Sequence, residues 1–242
     1  MIADNSEKYK QLREAYPCFE YKGFEYGIVD GDFEMVFHFF CGEHSFNPKH
    51  IFKSKDFYSF TDLNKEQLDL LVFNVGMIEL VSYWKAFCSK KIRICNYSLD
   101  SQQQDFWRKI YFHGLGEFFF VNGIQTDINS FVEFEFEKTE ILKPCRFDLE
   151  DRYIVPIGGG KDSVVSLDLL YGAGRDVRTF IINPRGATLD CCNKANISRD
   201  EILEDRRTID AHLLELNAQG FLNGHTPFSA MLAFTSLLVA AF

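Results

Sequence analysis

The chain has 242 residues, 46% of them apolar, enough to bury a sizeable core as one large domain or two modest ones. A formal charge of −9 and a pI near 5.2 leave no broad basic surface for a phosphate backbone, and no local basic patch stands out, so nucleic acid is not an expected partner. Seven scattered cysteines, no signal peptide and no CxxC or His/Cys zinc spacing point to reduced thiols in a cytoplasmic protein.

The first part, residues 1–148, reads as an α+β domain rich in phenylalanine. Phe33–Phe39 and Phe131–Phe136 alternate apolar and polar residues, the pattern of half-buried antiparallel strands. Residues 64–89 read as a long amphipathic helix with Leu68, Leu71, Val72, Val75 and Ile78 on one face. Residues 101–112 form a second helix.

After Pro144 the pattern changes, and residues 149–242 read as a second domain. Tyr153–Ile157 is a short apolar run, glycines follow at once, and Val164, Leu167 and Tyr171 then recur at helical spacing, giving strand, loop and helix. Val177–Ile182 is a second strand. Ser198 opens a helix with a capping box completed by Glu201; it runs to Asn217, where Gly220 closes it. Within this helix Glu204, Asp205, Arg206 and Arg207 read as a solvated charged face. Alternating strands and helices predict a parallel sheet with crossover helices. Phe228–Phe242 carries no charge and ends without a helix-stop signal. It is shorter than the roughly 18–20 residues a membrane span needs, so it reads as a buried helix in a domain cut short.

The chemistry concentrates at Pro156-Ile157-Gly158-Gly159-Gly160-Lys161-Asp162-Ser163. Three glycines allow close backbone approach to an anion, and the following helix adds its positive end. Two better-known phosphate loops are excluded. GxxxxGK[ST] fails because its first glycine falls at Val155 and Asp162 occupies the hydroxyl position; GxGxxG fails because Ser163 stands at its last glycine.

The segment resembles the pyrophosphate (PP) loop of the ATP pyrophosphatase superfamily, SGGxDS after a first strand, with Gly158 replacing the leading serine. Three further stretches, Ser82–Cys88, Gly114–Phe118 and Asn223–Ser229, stand in order around it. Together they resemble the ATP-dependent UDP-N-acetylmuramoyl-L-alanyl-L-glutamate epimerases of bacterial peptidoglycan synthesis, from about Tyr26 to the end. That resemblance implies an α/β PP-loop fold preceded by an α+β domain, and an amino-terminal piece of a longer protein. It implies ATP and Mg2+ as cofactors, and a UDP-N-acetylmuramoyl-dipeptide as small-molecule substrate. It also implies an acyl-adenylate formed with release of pyrophosphate, epimerisation of L- to D-glutamate, and release of AMP. Gly158, Gly159, Gly160, Lys161, Asp162 and Ser163 are then the ATP-binding residues. Lys161 stabilises the leaving pyrophosphate, and Asp162 serves loop closure first and a magnesium contact second.

The remaining candidates carry two readings each. His225 suits acid–base work at neutral pH and equally suits a structural loop histidine. Arg185, after the second strand, is a solvated loop arginine or a phosphate contact. Asn223 shares the stretch of His225 and reads as a substrate or a phosphate contact. Lys85 reads first as a surface lysine beside a buried Trp84, and second as a contact to the nucleotide sugar. Cys191 and Cys192, placed on a strand, point to opposite sides of a sheet and not to opposite faces of one substrate. The alternatives are another adenylating enzyme, an amidotransferase-type ligase or a tRNA-modifying one, or a nucleotide-binding piece without turnover.

Overall fold

The computed structural model describes residues 4–55 and 59–242. The chain begins with α1 (Ser6–Ala15), then β1 (Cys18–Val29), β2 (Asp32–Cys41), β3 (His44–Phe46), β4 (Lys49–Phe52), α2 (Lys65–Phe87) and β5 (Lys91–Ile94). It continues through α3 (Ser101–Gly114), α4 (Gly116–Val121), β6 (Glu133–Phe136), β7 (Tyr153–Pro156), α5 (Lys161–Gly172) and β8 (Val177–Ile182). It ends with α6 (Ala187–Lys194), β9 (Ile202–Thr208), α7 (Ala211–Ala218) and α8 (Phe228–Ala241).

One mixed nine-stranded sheet runs through both halves of the chain in the order β6-β5-β1-β2-β4-β9-β8-β7, with β3 beside β2. Its centre is antiparallel and its two wings are parallel: β1, β5 and β6 on one side, and β9, β8 and β7 on the other. The halves meet where β4 pairs antiparallel with β9, Lys49 opposite Thr208 and Phe52 opposite Asp205. The alternation in Phe33–Phe39 is realised as an antiparallel strand whose every second residue, Phe33, Met35, Phe37, Phe39 and Cys41, is buried. Phe131–Phe136 departs from expectation. Its strand β6 is parallel to β5, because the α3–α4 crossover returns the chain in the same direction.

Helix α2 starts at a full capping box between Asn64 and Gln67 and ends at Cys88 in the left-handed region, φ 53°. It is not amphipathic. From Leu71 to Phe87 it is buried on all sides except at Asn74, with the sheet against it and α8 and α7 around it. By length and composition α2 could cross a membrane, but 89% of its apolar stretch lies inside the fold. Helix α8, over the uncharged terminal segment, covers α2 and buries Met231, Thr235, Leu238 and Val239.

The aromatic core explains how closely α2 lies on the sheet. Tyr21 stacks on Phe73 at 5.7 Å and 5°, and Tyr83 lies 5.6 Å from Phe39. Gly76 permits this approach: a Cβ there would stand 1.9 Å from the Tyr21 hydroxyl and 2.8 Å from Phe37. A second, smaller core holds Val155, Ile157, Leu167, Val177, Ile181, Cys192, Ile197 and Ile202 around the β7–β8 wing.

The second half corrects three expectations. The Ser198–Glu201 capping box is present, but it closes a single 3-10 turn, Arg199–Glu201, that leads into β9. Asp210 then caps the short helix α7. Two N-caps this close in sequence leave no room for one helix from Ser198 to Asn217, and the intervening Ile-Leu pair satisfies a strand. Cys191 and Cys192 lie on α6, not on a strand, so they face directions set by a helix, and only Cys192 is buried. On α5, Leu167 faces the core while Val164 and Tyr171 are exposed, since only one side of this helix rests on the sheet.

Gly76→Ala is expected to destabilise the protein by about 1–3 kcal/mol in urea unfolding, although alanine is the better helix former, because overpacking against Tyr21 and Phe37 outweighs a propensity gain of about 1 kcal/mol.

Candidate functional site

The glycine segment lies between β7 and α5, at the carboxyl end of the parallel wing. Ile157 extends the pairing by donating to the Phe180 carbonyl at 2.8 Å, so the turn begins at Gly158. Gly159 has φ +79°, and a Cβ there would lie 3.0 Å from the Ala187 methyl. Glycine is required at this position on both counts. At Gly158 and Gly160 an added Cβ would meet nothing within 4 Å, so those positions are open toward solvent.

Gly160 is the N-cap of α5, in extended conformation and with no side chain capping the helix. The first-turn N–H groups therefore have no side-chain partner at the end of a twelve-residue helix. Lys161 and Asp162 are exposed there, while the Ser163 hydroxyl turns back to donate to the Gly160 carbonyl at 2.9 Å. This cradle fits a polyphosphate: backbone donors, an adjacent lysine, and no Cβ to obstruct approach. One carboxylate, Asp162, is exposed beside it.

Arg185 is brought to the same end of the sheet. Its loop follows β8, where its N–H donates to the Thr188 hydroxyl at 3.0 Å, and Gly159 packs against Ala187 and Thr188 of the helix that follows. Asn183, with φ 52°, closes β8 by donating its amide to the Arg207 carbonyl at 2.8 Å.

The largest correction concerns Glu204–Arg207. These residues lie on β9, where Glu204 and Asp205 are buried and Arg207 is largely so, rather than on a solvated helix face. Arg207 forms a two-pronged pair with Glu79 of α2, at 2.8 and 2.9 Å, and also reaches the Ser82 hydroxyl at 3.1 Å. His50 of β4 bonds Asp205 through Nδ1 at 2.6 Å, and its Nε2 lies 3.7 Å from Glu79. Burial by itself would raise the Glu79 carboxyl, but Arg207 and His50 outweigh it and hold it low. Burial would lower the His50 imidazole, but Asp205 and Glu79 raise it to about 9.

Lys85 is buried rather than on the surface, two positions beyond Tyr83 and one turn beyond Ser82. Burial, seconded by Arg207, pulls its amine down to about 8, against the pull of Glu79. Its Nζ donates to the Gly224 carbonyl at 2.5 Å, inside the stretch that carries Asn223 and His225. Asn223 caps its neighbour, its side chain accepting from the Gly224 N–H at 2.8 Å, and its carbonyl accepts from the Asn122 amide at 3.1 Å. His225 is exposed and lines a cleft with His113 and Lys109.

The candidates thus fall into two groups, the glycine loop with Arg185 and the Lys85–Asn223–His225 group. They are linked through Arg207 at the end of β9. Among the described residues, Glu20, Cys95 and Glu137 have the spacing of a metal-binding group, but Lys22 already reaches Glu20 at 3.0 Å and Glu137 at 3.8 Å.

With this geometry in view, the comparisons are informative. The chain matches the MurL N-terminal domain over residues 10–242. It belongs to that family. It is 34% identical over 155 residues to the UDP-N-acetyl-alpha-D-muramoyl-L-alanyl-L-glutamate epimerase of Xanthomonas oryzae pv. oryzae, covering 64% of this chain and 33% of that protein. The proteins of the same name from Salinispora tropica and a Micromonospora species are 36% identical over 123 residues and 31% over 153, covering 50% and 62% of this chain. The chain spans about a third or less of the length of the curated relatives it matches, 33%, 26% and 33%. No solved structure gives a significant match.

The buried cluster sets a pH dependence. His50 is raised from 6.5 to about 9, so its contribution to stability is complete below pH 6.5 and is lost as pH rises through 9. Lys85 is lowered from 10.5 to about 8, so its penalty is present below pH 8 and is relieved as pH rises toward 10.5. The urea midpoint is expected to fall from pH 6.5 to 8, to stay level between 8 and 9 where the two effects oppose, and to recover between 9 and 10.5; His50→Gln removes the fall. Arg207→Met, which leaves the buried Glu79 carboxylate with only His50 beside it, should cost about 3–5 kcal/mol in the same assay.

Proposed function

We propose that the protein carries the nucleotide-binding part of an ATP-dependent epimerase that converts the terminal L-glutamate of UDP-N-acetylmuramoyl-L-alanyl-L-glutamate to D-glutamate, in the cytoplasm. The observation that carries this reading is the uncapped, side-chain-free turn Gly158–Gly160 ahead of Lys161 at the carboxyl end of the parallel wing. Membership of the MurL N-terminal domain family and the names of the relatives support the substrate.

In this reading residues 149–242 are a PP-loop unit, and residues 1–148 prop it and help hold the substrate. ATP supplies an activated phosphorus, and attack by the glutamate carboxylate gives an acyl-adenylate whose α-hydrogen is far more acidic than that of the free carboxylate. The backbone N–H groups after Gly160 hold the departing pyrophosphate, and Lys161 neutralises the charge that builds on it. Asp162 would hold the magnesium ion, and Arg185, at the neighbouring strand end, would meet the phosphates. His225, on a loop fixed by Lys85 and Asn122, is the group offered for proton transfer. Asn223 is exposed beside His225, its side-chain oxygen engaged by the Gly224 N–H and its carbonyl by Asn122, and is offered as a contact to the substrate.

The test follows ATP labelled at the α-phosphorus, with magnesium and the dipeptide substrate. Substrate-dependent AMP and a D-glutamyl product are expected; ADP sinks the reading, and ATP binding without turnover confines it to nucleotide binding. Lys161→Ala should lower AMP formation by about 10²–10³-fold. Gly159→Ala, forced into φ +79° against Ala187, should abolish ATP binding in equilibrium dialysis.

A further inference from the structure

A cleft of about 510 Å³ lies between α3 and the start of α8, lined by Phe106, Lys109, Ile110, His113, Gly114 and residues 225–230. Three basic side chains, Lys109, His113 and His225, line it, and no aspartate or glutamate does, in a chain whose net charge is −9. The contrast with the other large clefts is clear. The one beside α8 and β7 holds Asp62, Asp148 and Glu150 with its arginines, and the one beside β1 holds Glu25 and Asp69. The basic cleft also offers the Thr226 and Ser229 hydroxyls.

Its walls are aromatic. Phe106 and Phe228 remain 47% and 42% exposed, and Phe106 is held in place by Trp107 at 5.4 Å and Phe234 at 6.4 Å. Two half-bare rings beside an acid-free basic wall suit a ligand with a planar ring at one end and phosphates at the other. The volume is that of a small-molecule site.

The floor is preformed. A Cβ on Gly114 would stand 2.4 Å from Pro227, and one on Gly224 would stand 3.0 Å from Phe118, so the loop before α8 rests directly on the α3–α4 junction. Lys85 and Asn122 fasten the same loop from beneath through the Gly224 and Asn223 carbonyls. A buried lysine spent on holding one surface loop is costly unless that loop must keep its shape.

We propose that this cleft binds a nucleoside diphosphate, the diphosphate on Lys109 and His113 and the base against Phe106 and Phe228. It is distinct from the glycine loop that the proposed function assigns to ATP. The inference rests on that function only in equating the ligand with the UDP end of the substrate.

The test measures binding of UDP, inorganic pyrophosphate and ATP to the protein by isothermal titration calorimetry. UDP is expected to bind at least about tenfold more tightly than pyrophosphate, to lose about tenfold or more in affinity in Lys109→Gln/His113→Gln, and to weaken in Phe106→Ala. ATP affinity should be unchanged in the double variant, and Lys10→Gln on α1 should leave UDP binding intact. Both basic side chains are exposed, so the double variant folds, which circular dichroism checks. UDP that fails to bind, that binds the double variant as well as the wild type, or that binds no better than pyrophosphate overturns the proposal. Loss of AMP formation with UDP binding retained would instead count against the epimerase reading alone.

Discussion

Arg207 and Glu79 are paired where two structural systems meet. Arg207 is the penultimate residue of β9, the strand that joins the antiparallel centre of the sheet to its parallel wing, and Glu79 lies near the middle of the helix that the centre is built around. Removing two charges from water is expensive, and the fold bears that cost only because the fork of the guanidinium matches the carboxylate and Ser82, His50 and Asp205 complete the network. Hydrophobic contact alone would let α2 slide along an aromatic sheet. A directional ionic contact fixes its rotation and height.

That registration reaches the site from both sides. Toward the parallel wing, the Arg207 carbonyl receives Asn183, whose strand leads to the Arg185 loop and to the surface on which Gly159 rests. Toward the helices, the turn of α2 after Glu79 and Ser82 carries Lys85 to the loop of Asn223 and His225. Phosphate chemistry at one end and basic side chains at the other are therefore held by one rigid lever, α2, clamped at a single charged point.

Much of this was legible in the sequence where a residue type has one physical use. Glycines ahead of a charged helix start, between two β-rich runs, gave the strand, loop and helix that the structure contains. Asn64 and Phe33–Phe39 marked a helix start and a strand in the same way. The sequence misled where polar residues are buried. Glu204–Arg207 reads as a solvated helix face because charge run and solvent usually go together, and only the far partners Glu79 and His50, more than a hundred residues away, reverse that. Lys85 was misjudged for the same reason: its acceptor is a backbone carbonyl, which no side-chain pattern reveals. The second N-cap at Asp210 was the available signal that Ser198 could not begin a long helix. The antiparallel expectation for Phe131–Phe136 failed because alternation reports which face is buried and is silent on strand direction.

The edge position of β7 has its own consequence. Among the described residues this strand pairs only with β8, and the glycine turn grows directly from its end. A main-chain ligand laid along this edge and an anion seated in the turn would order the same few peptide groups, and by thermodynamic reciprocity whatever factor one changed in the affinity of the other would hold in both directions.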